Sequence, residues 1–422
     1  MSAFDQVIGM NELKAELQEL AGQLRGPEKK MRGGVKLPCG LLLHGQVGMG
    51  KTLLAKCFAE ESGRPTFTVR GDTRGEEFLA DLNAICEQAI REAPSILCFH
   101  KADRYQLDGF CDSSEMTAIV AAVDRVKSKG VFVILTADNL HMLPHVFADR
   151  RRFDNVFEVS RPKWEERLET AKTVYASQIP NLSEEELDDF AKMTDYRCFL
   201  DLESIVNEAK RLAEKVGTQT PGAEELKRAI LKKRYGRMNA DVLTPAEIHR
   251  SAVYEAARLT VCETLRAGCV GIGTICSTHE KNGLTHRYRP FDDPTGRIAE
   301  SLAGIAALEL LGLPVPAELR RKDYAVTAER IRTEICAEGL YGPKYLSATA
   351  LLCGPDTPLS EESERMIHDE LVGDYQRVKE LLSDRKDLLN AYAEALEKKK
   401  TLLASDIQRV YAGIEMKKGR KE

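Results

Sequence analysis

"GLLLHGQVGMGKTLLAKCFA", residues 40–59, decides the fold. Leu41, Leu42 and Leu43 form an apolar run short enough for one buried strand, and "LLAKCFA" carries helical spacing. Between them Gly45, Gly50, Lys51 and Thr52 satisfy the spacing G-x-x-x-x-G-K-[ST], with Gln46, Val47, Gly48 and Met49 filling the turn. Glycines there let backbone N–H groups turn toward a phosphate, and the helix beginning near Lys51 adds partial positive charge. Lys51 would reach the outer phosphates and Thr52 would ligate Mg²⁺. A glycine-rich turn with an incidental lysine is the competing reading.

Working outward, further strands are expected at Thr66–Arg70, Ser95–Phe99, Val131–Ala137 and Asn155–Ser160, with Gly40–His44 as the first. Helical periodicity lies between them, as in Glu76–Arg91 and Ser113–Lys127. Such alternation predicts a five-stranded parallel sheet covered by helices. Beyond Pro162 the pattern turns helical. "NLSEEELDDFAKM", "LDLESIVNEAKRLAEKVG" and "PGAEELKRAILKKRY" read as capped helices, followed by a boundary near "GRMNADVLTP". A helix over Glu247–Arg266, a β-like "CVGIGTICS", and helices near Arg297–Leu311, Asp323–Glu338 and Glu361–Glu397 complete the pattern.

The chain has 422 residues, enough for two or three domains. A net charge of −5 gives no sign of nucleic-acid binding. Eleven cysteines without a CxxC pair fit reduced thiols, and Cys262, Cys269 and Cys276 read as small core residues. "MSAFDQVIGM" is no signal peptide and no long apolar run follows. A soluble, cytoplasmic protein without a membrane anchor is expected.

"FDQVIGMNELKAELQEL", "LPCGLLLHGQVGMGKTLLAKCFAEESGRP", "RRRFDNVFEV", "LDLESIVNEAKRLA", "AVYEAARLTV" and "HDELVGDYQRVKELLSDRKDLLNAYAEALEKKKTLLASDI" together resemble the FtsH family of AAA+ zinc proteases, across nearly the whole chain. The resemblance implies an AAA+ nucleotide-binding domain over 1–161, a helical lid over 162–238, a peptidase-like helical domain over 239–413 and a basic tail over 414–422. It implies ATP or ADP as ligand, with Ile8 and Gly9 joining Gly45–Thr52 in the site. A hexameric ring is implied too, either of identical chains or mixed with an active relative.

At chemically important positions the sequence departs from that family. Family members carry Asp-Glu after the second buried strand, to hold Mg²⁺ and polarise water; here His100 and Lys101 stand there. Nucleotide binding with little need for Mg²⁺ is therefore expected. The sensor asparagine aligns with Asp138, next to Asn139. Of two arginine fingers the first position is Asp149, while Arg152 is kept as a candidate to act in trans. The aromatic of the pore loop aligns with Phe78, in a segment shortened enough to put substrate gripping in doubt.

A zincin helix needs H-E-x-x-H, because imidazoles four residues apart share a face and the glutamate acts as base. The matching positions are Tyr254, Glu255 and Arg258, and the family's third ligand aligns with Asp323. A guanidinium stays protonated and binds no metal. No zinc is expected: Glu255 is vestigial, Arg258 is expected to compensate Asp323, Glu255 or both, and Tyr254 to fill volume and hydrogen-bond through its hydroxyl. The resulting expectation is a nucleotide-binding, proteolytically inactive ring protein of protein quality control. A slow ATP-hydrolysing remodeller is the alternative, and an ATP-dependent zinc metallopeptidase a third reading.

Overall fold

A computed structural model describes residues 2–25, 39–69, 73–105, 113–149, 151–195, 197–236, 244–277, 282–336 and 360–418. The chain divides into two compact units, Met1–Pro180 with Tyr196–Glu208, and Asn181–Asp195 with Ala209–Glu422. Residues 162–238 thus fall in both.

In the first unit, α1 (Asn11–Arg25), β1 (Gly40–His44), α2 (Lys51–Ser62), β2 (Thr66–Val69), α3 (Gly75–Arg91), β3 (Ser95–Phe99), α4 (Ser114–Lys127), β4 (Val131–Ala137), β5 (Asn155–Glu158) and α5 (Trp164–Thr173) follow in order. The five strands pair in parallel in the order β2-β3-β4-β1-β5. Successive side chains of a strand point to opposite faces. Leu97, Phe99, Val133 and Leu135 therefore pack with Phe78, Leu82, Met116 and Ile119 of α3 and α4. Ile96, Cys98, Phe132 and Ile134 pack with Leu17, Leu20, Leu54 and Phe58 of α1 and α2. Burial on both faces explains why these strands read as unbroken apolar runs. Helix α5 has no counterpart among the expected elements; its half-charged sequence "WEERLETAKT" hides the helical stripe.

Next along the chain come α6 (Glu184–Met193), α7 (Phe199–Lys215) and α8 (Ala223–Tyr235), of which α7 spans both units and the other two lie in the second. The rest of the second unit contains α9 (Pro245–Leu265), β6 (Val270–Ser277), β7 (Asn282–Arg287), α10 (Pro294–Leu310), α11 (Ala317–Cys336), α12 (Glu361–Asp384), α13 (Lys386–Lys399), β8 (Thr401–Leu403) and α14 (Ala404–Lys418). Helix α9 starts on a capping box, Thr244 with Glu247, and Pro245 in its first turn. Leu259 and Cys262 of α9, Leu302 and Ile305 of α10, Leu382 of α12, and Leu389 and Tyr392 of α13 share one core. Strand β6 pairs antiparallel with β7 and β8.

Several expectations change here. The single helix foreseen over Glu361–Glu397 is two, broken at Arg385 (φ −109°, ψ 26°), which turns Leu388, Leu389 and Tyr392 into the core. Helix α11 starts at Ala317, because its polar first turns carry no apolar stripe. Helix α14 runs to Lys418, so the tail foreseen from 414 begins inside a helix. Strands β7 and β8 were not foreseen. Among the described residues, no helix is long and apolar enough to cross a membrane.

Candidate functional site

Parallel strands bring their carboxyl ends to one edge, the place where open α/β sheets bind ligands. His44 of β1 sits opposite Ala137 of β4, and Phe99 of β3 opposite Leu135. The Gly45–Gly50 turn after β1, His100 and Lys101 after β3, and Asp138 after β4 therefore gather at that edge. Gly50 has φ +91°, a left-handed conformation open to glycine, and hands the chain directly into α2 at Lys51. Gln46, Val47 and Thr52 are exposed while Met49 is buried. The glycine turn at the head of α2 thus fits a nucleotide phosphate through its backbone.

Lys51 is held inside this turn, with only 6% of its side chain exposed. Its Nζ donates to the carbonyls of Gly45 at 2.5 Å and Gln46 at 2.8 Å, and pairs with Asp138 Oδ1 at 2.7 Å. Asp138 is fixed in turn, because Asp103 Oδ2 accepts from the N–H groups of Asp138 (3.0 Å) and Asn139 (3.1 Å). The His100 ring lies 3.6 Å from Cys98 Sγ. Lys101 adopts φ +54° and its N–H donates to Thr136 Oγ1. Its ammonium makes no ion pair among the described residues.

Other expected contacts sit as follows. Ile8 lines a cavity of about 640 Å³ formed by Phe4, Val7, Asn11, Lys14 and Glu169 among others, with no residue of the Gly45–Thr52 turn in its wall. Gly9 is buried against Glu166, whose Oε1 accepts from the next N–H, at Met10. Phe78 is fully buried, its ring 4.4 Å from that of Tyr105, and so is not presented to a substrate. Arg152 is committed within its own chain: Nε and Nη2 each lie 2.7 Å from the Asp124 carboxylate, and Asp149 is 3.6 Å away.

In the second unit, α9 carries Tyr254, Glu255 and Arg258. Glu255 is 1% exposed; Oε2 accepts from Thr285 Oγ1 at 2.8 Å and from Arg258 Nη1 at 3.4 Å. Arg258 Nη2 donates to Glu300 Oε1 at 2.7 Å, and Arg287 Nε to Glu300 Oε2 at 2.9 Å. Tyr254 donates to Asp323 Oδ2 at 2.7 Å. Its ring presses on Gly304 of α10, where any Cβ would collide with it. His249 lies elsewhere, against Glu397.

Of the partners expected for Arg258, Glu255 is present at 3.4 Å, while Asp323 is taken by another residue. Tyr254 takes Asp323, and Arg258 makes its shortest bond to Glu300, a residue the sequence reading missed. A signal was present: Glu300 shares its helix face with Gly296, Ala303, Gly304 and Ala307, small residues of a helix buried along most of its length, where a carboxylate needs a buried partner. Burial pushes the Glu255 carboxyl up, and Arg258 draws it part of the way back. Burial also raises Asp323 against the Tyr254 hydrogen bond, and raises the Tyr254 phenol itself. For Arg258, burial disfavours the charge, but Glu255 and Glu300 outweigh it and hold the guanidinium above its ordinary value.

This set does not fit zinc. A fixed cation already lies between the carboxylates, and the phenol is spent on Asp323. Among the described residues, no three His, Cys, Asp or Glu side chains converge to hold a metal ion. Cys262 and Cys269 lie in the core, and Cys276 is half-buried near Thr401.

Comparison with known proteins now bears on both units. Residues 41–161 match the family model of the ATPases associated with various cellular activities (AAA), a domain that implies nucleotide binding. The ATP-dependent zinc metalloprotease FtsH of Myxococcus xanthus is 27% identical over 99% of this chain and 70% of its own length. FtsH 1 of Thermomicrobium roseum is 29% identical over 97% of this chain and 68% of its own. FtsH of Syntrophotalea carbinolica is 31% identical over 72% of this chain and 50% of its own. With the five-stranded parallel sheet and the mostly helical second unit, these matches lead to one conclusion: the chain is an FtsH-like member of the AAA+ family.

Proposed function

We propose that this protein binds ATP or ADP and cleaves no peptide bonds, serving as a scaffold or regulatory ring, or as one subunit of a mixed ring, in protein quality control. The carrying observation is Arg258. Its guanidinium lies between Glu255 and Glu300, at the position that matches the second imidazole of a zinc peptidase. Glu255, matching the general base, is bonded to Thr285 and Arg258 and is poorly placed to take a proton from water. The division into nucleotide-binding domain (1–161), lid (162–238), peptidase-like domain (239–413) and tail belongs to the same reading, as do the cytoplasmic setting and the lack of zinc.

A slow ATP-hydrolysing remodeller is the second reading, favoured by the intact Gly45–Thr52 turn. Against it stand His100 and Lys101 in place of acids, and a buried Phe78. A mixed ring relying on Arg152 would have to release it from Asp124. The test uses the purified chain with fluorescent casein, ATP and added Zn²⁺, alongside phosphate release. No cleavage and near-background phosphate are expected. Zinc-dependent cleavage overturns the proposal, and steady phosphate release without cleavage selects the remodeller.

A further inference from the structure

We infer that Asp138 sets the nucleotide preference of this site and makes it a diphosphate site, taking ADP over ATP. The preference rests on the Gly45–Thr52 turn binding nucleotide. In such a turn the lysine ammonium engages the β- and γ-phosphates. Here that ammonium already has a carboxylate 2.7 Å away, from Asp138 Oδ1. Any phosphate that Lys51 engages from its present position comes to rest beside that negative charge.

Asp138 has little freedom to withdraw. It follows directly on β4, whose Thr136 and Ala137 are in register with Leu43 and His44 of β1. Its own N–H and that of Asn139 are both tied to Asp103 Oδ2. Asp103 places a second carboxylate behind the first, and its Oδ1 is buried without a hydrogen-bond partner among the described residues. Side-chain exposures of 6% for Lys51 and 18% for Asp138 leave the local charges weakly screened by solvent.

The charge balance then depends on the number of phosphates. One ammonium has three donors, here directed at Gly45, Gln46 and Asp138, so a β-phosphate can share Lys51 with Asp138 by taking the place of one carbonyl. A γ-phosphate adds further negative charge at the outer end of the nucleotide, next to Asp138. The cations at this edge include Lys51, already paired with Asp138, Lys101, and Arg161, whose guanidinium donates to Gln46 Oε1. Each added phosphate charge beside Lys51 therefore meets a repulsion from Asp138 that a neutral residue at 138 would not produce.

The experiment is displacement of mant-ADP from the purified full chain by unlabelled ADP or ATP, in EDTA, for the parent and for Asp138→Asn. The parent is expected to bind ADP at least about tenfold more tightly than ATP, and the variant to bring that ratio below about threefold, with ATP gaining more than ADP. A parent that binds both equally, or a variant with an unchanged ratio, overturns the inference while leaving nucleotide binding intact. Failure of mant-ADP to bind at all overturns the reading of the turn itself and the preference with it. The parent ratio is decisive whether or not the variant folds.

Discussion

Replacing Arg258 by methionine keeps the alkyl stem and deletes the charge between Glu255 and Glu300. Removing one partner of a buried ion pair costs about 3–5 kcal/mol, because the other charge is left uncompensated. The loss should fall at the lower end, ~3 kcal/mol. Glu300 keeps Arg287 at 2.9 Å, while Glu255 keeps only the Thr285 hydroxyl. The cost therefore settles on Glu255, whose carboxyl burial already pushes up and which Arg258 now draws down.

Without Arg258 the folded-state value rises further, and the sign of the pH dependence follows. A carboxyl raised above its unfolded value keeps its proton longer in the native state, so stability falls as pH rises from the unfolded to the folded value. Because the unfolded state is common to both, the deficit of the variant should grow by up to about 1.4 kcal/mol per pH unit between the parent's already raised folded value and the variant's higher one. Urea unfolding at pH 5.5 and pH 8, followed by far-ultraviolet circular dichroism, measures this. Emission from the single tryptophan, Trp164, reports the first unit separately. Adding Glu255→Gln should recover most of the loss, since the amide oxygen still accepts from Thr285. A deficit under ~1 kcal/mol at pH 8, or one independent of pH, refutes the claim that Arg258 compensates a buried carboxylate.

Two further outcomes concern the first unit. Lys51→Ala should abolish mant-ADP binding; because Lys51 is buried and paired rather than solvent-facing, a stability loss of ~1 kcal/mol from the stranded Asp138 should accompany it. Unaltered binding would contradict the phosphate-turn reading. Adding Mg²⁺ to the parent should tighten ADP binding by less than about tenfold, since no acid stands at 100 or 101 and the Lys101 ammonium is available there; a larger gain in a fluorescence titration counts against it.

The strands and the phosphate turn were legible because each is written locally. Three of the five strands of the first sheet are apolar runs of the right length, and the turn is a fixed spacing. Local reading also pointed to departures from the family the chain resembles: His100 and Lys101 where acids are expected, and Tyr254 and Arg258 where imidazoles are expected. What it did not reveal is what took their place. Lys51 meets Asp138, Arg152 meets Asp124 and Arg258 meets Glu300, pairs separated along the chain and joined through strand order or helix packing. In the sequence Asp124 looks like an ordinary helical charge, and Asp138 looks like a slipped asparagine. The break at Arg385 escaped for a related reason, since helical periodicity continues on both sides of it.

The pairs have a common physical logic. A catalytic or ligand-binding side chain is normally left partly unsatisfied, so that substrate or metal can complete it. Once that ligand no longer binds, the unsatisfied group is a standing cost in a poorly solvated place. At Arg152 and Glu255 the chain supplies a partner from within, Asp124 and Arg258. At Tyr254 and Asp323 the departing position and the retained one satisfy each other. Restoring a single imidazole at 258 would therefore not restore a metal site. It would remove the cation that Glu255 and Glu300 share while leaving Asp323 bound to Tyr254. Tyr254 and Arg258 would have to change together before those carboxylates could face a metal.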